Sequence, residues 1–454
     1  MDATRSGRGY SRTVQTLTSG LRRSRTVIVV TAVALLVTAC GSTKPGSSPT
    51  TTKANVPITA APTGAPSPGV TATSVTVGQV DDLTLPLPGL FKGAEDGTEA
   101  YFDYVNSLGG VNGRMIKLDA GDSLYSDGTV ASTTQAQIKN DFALVGGFSL
   151  DDAAEEPLVA AAKMPDIAYP LDPGLANLPT SYSPFPNADN EAPTTIFKVL
   201  KKKFPTQIKH VGILWANATA STAIAEQSFE RAAKAEGFKI VYDASFTPSQ
   251  TTFLANVLTM KSDGVQMFFS QQLPDSYAET VAKEMSEQNF HPINVEEDAY
   301  TSNLVKDGGA AVSGMYISVG FDLYLGTDDT VPAVKLFTKW MNKADPTANF
   351  ELESLFGWAS AELFVDGLKD AGSPPTRAGL EAALDKVTSF NANGLLATGD
   401  PAQNIPAACV ILAQIQNGAI VRVSPTPKTG FICLPNSLLP EPGFKPEVRP
   451  TPGS

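Results

Sequence analysis

Three cysteines and two histidines are the chain's whole stock of thiols and imidazoles. Their positions restrict the available chemistry. No Cys-x-x-Cys occurs, and His210 and His291 stand far apart, so a transition-metal site is not expected. A Ser-His-Asp triad would have to use one of these histidines. His210 abuts an apolar strand and His291 precedes a proline, which gives both a structural look. No Gly-x-Ser-x-Gly elbow is present, and a hydrolase needs a nucleophile within hydrogen-bond reach of a base. No enzymatic activity, cofactor or metal is expected. Cys40 follows two small residues, Thr38-Ala39, at the end of an apolar run over 27–37. Cys409 and Cys433 flank a hairpin-like stretch, Cys409–Gln416 and Ala419–Val423, and are expected to pair if the protein meets an oxidising compartment; two buried free thiols are the alternative.

The elements around Cys40 give it an address. Six arginines and one acid precede the apolar run. The run falls short of the ~20 residues of a spanning helix and suits the core of a secretory signal. Thr38-Ala39-Cys40-Gly41 resembles the bacterial lipobox, which implies diacylation of the Cys40 thiol and cleavage before it. Arg22-Arg23 hints at twin-arginine export, but the residues after it fit that pattern poorly, and Sec export stays open beside it. Removing residues 1–39, with six Arg and one Asp, takes the net charge from −12 to −17. Such acidity argues against nucleic acid as a partner. The lipid is the expected membrane contact, on the outer face of a bacterial cell membrane.

Residues 41–72 are mostly Ser, Thr, Pro, Gly and Ala, too poor in large apolar side chains to fold, and read as a tether. The Pro-rich stretch 437–454 reads as a disordered tail. Between them, strand candidates alternate with helical periodicity. Val75–Val80 precedes a helix with Ala94, Tyr101, Phe102, Val105 and Leu108 on one side. Strands Met115–Asp119, Phe142–Gly146 and Asp166–Tyr169 follow, with a helix at 151–163. A second series runs through His210–Trp215, helix 221–236, Lys239–Ala244, helix 250–262, Val265–Ser270 and helix 275–288. This alternation predicts α/β architecture with two parallel sheets flanked by helices. Ligands of such sheets bind beyond the carboxyl ends of the strands.

Ala100-Tyr-Phe-Asp-Tyr-Val-Asn106-Ser-Leu-Gly109-Gly110-Val-Asn112-Gly113 resembles the signature of the leucine-binding family of type I periplasmic binding proteins. Leu144-Val145-Gly146-Gly147, Gly212–Trp215, the helix before Gly237, Phe246 through Leu258, and Gly357-Trp358-Ala359 through Ala371-Gly372 agree in order. The resemblance implies two lobes joined by three crossovers, with lobe 1 at 73–192 plus 322–396 and lobe 2 at 193–321 plus 397–436. It implies a monomeric receptor that closes on a small-molecule solute and passes it to the membrane subunits of an ABC importer. A ligand sensor without a transport role is the alternative.

The resemblance also places the ligand. Phe148, Ser149 and Leu150 occupy the loop that serves an amino acid's carboxylate, with Ser149 keeping a hydroxyl; a helix N-cap, with Asp152 three residues on, is the alternative for Ser149. Tyr169 and Asp172 stand where a threonine is usual, with ordinary turn chemistry before Pro173 as the alternative for Asp172. Trp215 ends a cleft-facing strand, Gln272 replaces a common aromatic, and Asp298 aligns with the acid that pairs an ammonium. Phe91 lies on the first covering loop. The bulk of Leu150 and Leu171, the arrival of Gln272 and the lost threonine count against a simple free amino acid; an amide, a short peptide or an aromatic acid would use the same walls.

Overall fold

The Asn106–Gly113 motif works as a joint between helix and strand. The computed structural model describes residues 67–84, 91–186, 191–218, 220–247, 249–272, 274–326, 328, 330–346, 350–426 and 430–440. In it, β1 (Ser74–Asp81) leads to α1 (Lys92–Ser107) and β2 (Met115–Asp122). The Asn106 amide donates to the Ile116 carbonyl and accepts from the Ile116 N–H, both at 2.8 Å, so the helix end is tied to the strand on both sides. The turn between them runs through Gly109 and Gly110 at φ 100° and 73°. A Cβ on Gly110 would lie 2.0 Å from the Arg114 carbonyl, so only glycine fits there.

The chain continues through α2 (Asp127–Asn140), β3 (Leu144–Val145), α3 (Glu156–Ala162), β4 (Asp166–Ile167) and α4 (Pro173–Ala176). The first sheet has the order β2-β1-β3-β4, all parallel. The expected helix 151–163 is broken into a 3₁₀ turn, Asp152–Ala154, and α3, with Pro157 at the start of the new helix. Helix α2 was not anticipated. It buries Val130, Thr134 and Gln137, a face too polar to show as apolar periodicity. The Gln137 amide instead donates to the carbonyls of Gln79 and Asp119, at 3.0 and 2.8 Å.

β5 (Glu191–Pro193) and α5 (Thr195–Lys203) carry the chain to a second series: β6 (Val211–Ala216), α6 (Ala220–Ala235), β7 (Ile240–Phe246), α7 (Leu254–Ser262), β8 (Met267–Gln271), α8 (Asp275–Glu287), β9 (Ile293–Glu296), α9 (Ser302–Gly308) and β10 (Tyr316–Val319). Helices α10 (Pro332–Ala344), α11 (Leu352–Asp370) and α12 (Arg377–Leu384) precede β11 (Cys409–Gln416), β12 (Ala419–Ser424), β13 (Ile432–Cys433) and β14 (Leu438–Pro440). The second sheet runs β12-β11-β10-β9-β8-β6-β7, parallel from β10 to β7 and antiparallel at β11 and β12. Cys409 and Cys433 are joined as a disulfide across β11 and β13, Cα atoms 4.4 Å apart.

Two expected margins are corrected. Val70 is buried and bridges Val75, and Thr71 hydrogen-bonds Ser74, so folding begins before residue 73. Leu438–Pro440 pairs antiparallel with Glu191–Pro193, so the stretch from 437 is not a tail from its first residue: backbone pairing holds it despite its prolines. The lipobox, the signal and most of the tether lie outside the described residues.

Helices α1 and α11 touch backbone to backbone. A Cβ on Gly97 would sit 2.0 Å from the Ser354 carbonyl oxygen, and one on Gly357 would sit 1.9 Å from that of Ala94. From this crossing a chain of rings runs across the molecule. Tyr101 meets Trp358 at 4.8 Å, Trp358 meets Phe337 at 5.4 Å, Phe337 meets Tyr324 at 5.1 Å, and Tyr324 meets Tyr300 at 4.9 Å. Tyr300 follows β9 of the second sheet, so one apolar core is continuous between the two halves.

Candidate functional site

The carboxyl end of β1 supplies the first anchor. Asp81 and Asp82 are fully buried there. Asp81 Oδ1 accepts from the Phe148 N–H at 2.8 Å. Asp82 Oδ1 accepts from the hydroxyls of Ser123 and Ser149, the latter at 2.7 Å, and its Oδ2 accepts from the Leu150 N–H at 2.7 Å. Two carboxylates therefore fix the loop after β3. Burial drives the Asp81 carboxyl well above the usual carboxylate range. Neither aspartate figured among the expected site residues, although both directly follow the Val75–Val80 strand.

The loop they hold presents an aromatic cluster. Phe148 stands 4.7 Å from Phe91, edge to face, and 5.9 Å from Tyr169. Tyr169 stacks on Phe356 of α11 at 4.3 Å, and Phe185 meets Phe356 edge-on at 5.0 Å. Leu150, Leu171 and Leu352 complete it. Phe91, Phe148 and Phe356 are buried, while Tyr169, Phe185, Leu150, Leu171 and Leu352 keep part of their surface open. Phe91 immediately precedes α1 and Phe356 lies one residue before Gly357, so the tight α1–α11 crossing sets the spacing of the rings.

Two expected ligand donors have other uses. The Ser149 hydroxyl is sealed in at 2% exposure and given to Asp82, while its oxygen accepts from the Asp151 N–H at 3.1 Å. Asp172 caps α4, its Oδ2 accepting from the Leu175 N–H at 2.8 Å. Both side chains support the loops behind the rings.

The second sheet carries acids at its strand ends. Glu296 is fully buried and accepts from Ser270 Oγ. Glu297 accepts from Gln271 Nε2 at 3.3 Å. Asp298 Oδ2 accepts from the Gln272 N–H at 2.6 Å, holding Gln272 in a left-handed conformation at φ 53°. Trp215 pairs in register with Gln271, and its Nε1–H donates to Asp243 at 3.1 Å, which ties the ring to the neighbouring strand. Burial, then the charge of Asp298, raises Glu296 and Glu297 to about 8. Burial also raises Asp298.

Glu353, in the first turn of α11, links the two groups. Burial, reinforced by the charges of Asp298 and Asp275, pushes its carboxyl up to about 7. It lies one residue from Leu352 and three from Phe356, so the aromatic cluster and the acidic strand ends share an electrostatic neighbourhood. Phe185, Glu353 and Phe356 gave no local signal, because they reach the site from distant stretches of chain.

One parallel and one mixed, mainly parallel sheet, each bearing side chains at the carboxyl ends of its parallel strands, define a two-lobed α/β architecture. The chain belongs to the periplasmic binding protein family, whose model matches residues 74–419. No curated protein matches it. Solved structures share the fold. A fatty acid ABC transporter substrate-binding protein from Thermomonospora curvata is similar with a TM-score of 0.65 at 18% identity, over 79% of this chain and 93% of that one. The branched-chain amino acid transporter substrate binding protein of Streptococcus pneumoniae, in complex with isoleucine, gives 0.63 at 17%, over 78% and 100%. An R. palustris solute binding protein in complex with benzoate gives 0.62 at 16%, over 81% and 98%. Members of this family bind solutes outside the cytoplasm. Among the described residues no helix is long and apolar enough to cross a membrane.

Proposed function

We propose that this protein is a lipid-anchored extracytoplasmic receptor that captures a small amphiphilic solute by lobe closure and delivers it to an ABC importer. The observation that carries this reading is the aromatic cluster of Phe91, Phe148, Tyr169, Phe185 and Phe356 at the strand ends of one lobe. An apolar wall with open edges suits the apolar or aromatic body of a solute, and Asp298, whose charge acts on Glu353 beside that wall, is the partner we assign to its polar end. The solutes named for the structural neighbours, an isoleucine, a benzoate and a fatty acid, share that amphiphilic character. We read the lobes as 73–192 plus 322–396 and 193–321 plus 397–436, with margins extended to Val70 and Pro440; the division of β1–β4 and β6–β12 between two sheets supports this reading. The anchor rests on Cys40.

A thermal-shift panel of branched-chain and aromatic amino acids, their amides, short peptides, benzoate and palmitate tests the reading. A solute at 100 times its Kd stabilises by ~2.7 kcal/mol. Phe356→Ala should weaken the best binder at least tenfold. No shift with any member, or a binder indifferent to both Phe356→Ala and Tyr169→Ala, would overturn the assignment of the site. Intact-mass analysis of membrane-extracted protein should show an acylated chain beginning at Cys40.

A further inference from the structure

We infer that the C-terminal stretch 430–440 is a brace on the first passage between the lobes, and that it sets how freely the cleft opens and shuts. The inference rests on the lobe-closure reading above. The other two passages support each other: the Asp322 N–H donates to the Leu395 carbonyl at 2.8 Å, and the Ala397 N–H to that of Gly320 at 2.7 Å. The first passage, Glu191–Pro193, is paired instead with Leu438–Pro440, as a two-stranded sheet apart from both main sheets. The Thr194 N–H donates to the Ser437 carbonyl at 2.8 Å. Lys198, one turn into α5, reaches the carbonyls of Pro435 and Asn436 and the Ser437 hydroxyl.

The brace is itself fastened to the second lobe. The Cys409–Cys433 disulfide ties it to β11, and Arg422 Nη1 of β12 donates to the Gly430 carbonyl at 2.5 Å. The same guanidinium binds Asp328 and Asp322, and Asp322 adjoins the second passage. One end of the brace is thus covalently fixed to a sheet and the other is hydrogen-bonded to a connecting strand. A connecting strand with this backbone partner can bend only by shearing it.

The test compares the full chain with two variants, Cys409→Ser/Cys433→Ser and Lys198→Ala/Leu439→Asp; the second keeps the disulfide. Hydrogen exchange reads the Thr194 amide. Fluorophores on non-natural residues at Lys139 and Glu287 read the interlobe distance without added solute. Both variants should exchange Thr194 at least tenfold faster than wild type and broaden the distance distribution. Unchanged exchange overturns the brace, and so does faster exchange with an unchanged distribution. If the double serine variant does not fold, Lys198→Ala/Leu439→Asp decides alone. Wild type that binds a solute with no change of interlobe distance would sink lobe closure but leave the Thr194 exchange result standing.

Discussion

At Asp82, one buried carboxylate serves three donors from two loops. Replacing it with alanine leaves Ser123, Ser149 and the Leu150 N–H without their acceptor, at about 1–3 kcal/mol for each buried group that finds no other. Asp82→Ala should therefore lower unfolding stability in urea by several times the loss from Ser149→Ala, and should also weaken solute binding, since Phe148 rides on the same loop. Asp82→Asn keeps one acceptor oxygen and should fall between. The opposite lobe predicts a contrast. Asp298→Ala should cost a cationic solute much of its affinity, because its charge loses a partner, and a neutral solute little; isothermal titration of one of each separates the cases. Ser149 was legible in the sequence as a hydroxyl on the right loop. Its partner was not, because nothing in residues 147–151 reveals that an aspartate 67 positions away claims it.

Among the elements, the α1–α11 crossing has the least slack. Gly97→Ala and Gly357→Ala each gain up to ~1 kcal/mol of helix propensity, yet each drives a methyl into a main-chain oxygen. A main-chain atom moves only if its helix moves. The clash should win by about 1–3 kcal/mol or more, lowering the melting temperature, and Phe91 and Phe356 should separate with the helices. The parallel strands and the Asn106–Gly113 joint were readable because apolar runs and turn residues are local signals. Helix α2 was not, since its buried Thr134 and Gln137 look like surface. The pairing of Leu438–Pro440 with Glu191–Pro193 was hidden for a different reason. Two prolines and a short span resemble a loose tail, and the backbone bonds that hold it leave no mark on side-chain pattern.

For the whole molecule, carboxyl groups with raised affinity for protons recur in both lobes. Asp152 and Asp166 are held at about 7 and Glu296 at about 8, chiefly by burial. The unfolded chain loses these protons near 3.8 for aspartate and 4.5 for glutamate, while the folded chain keeps them to the higher values. Their stabilisation is complete below the lower pKa and is lost as pH rises through the upper one. Unfolding free energy should fall between about pH 4 and about pH 8, and Glu296→Gln should flatten the part of that slope nearest 8. The same retained protons bear on the cleft. If the solute carries an ammonium that settles near Glu353, held at about 7, it favours the charged form of that carboxyl and pushes its proton into the solvent. Its apparent heat of binding should then change with the ionisation enthalpy of the buffer, while a neutral solute gives one heat in every buffer. Loading by such a solute is an exchange of a cation for protons, so the acidity of the surrounding medium would govern how much solute each molecule retains at a given supply.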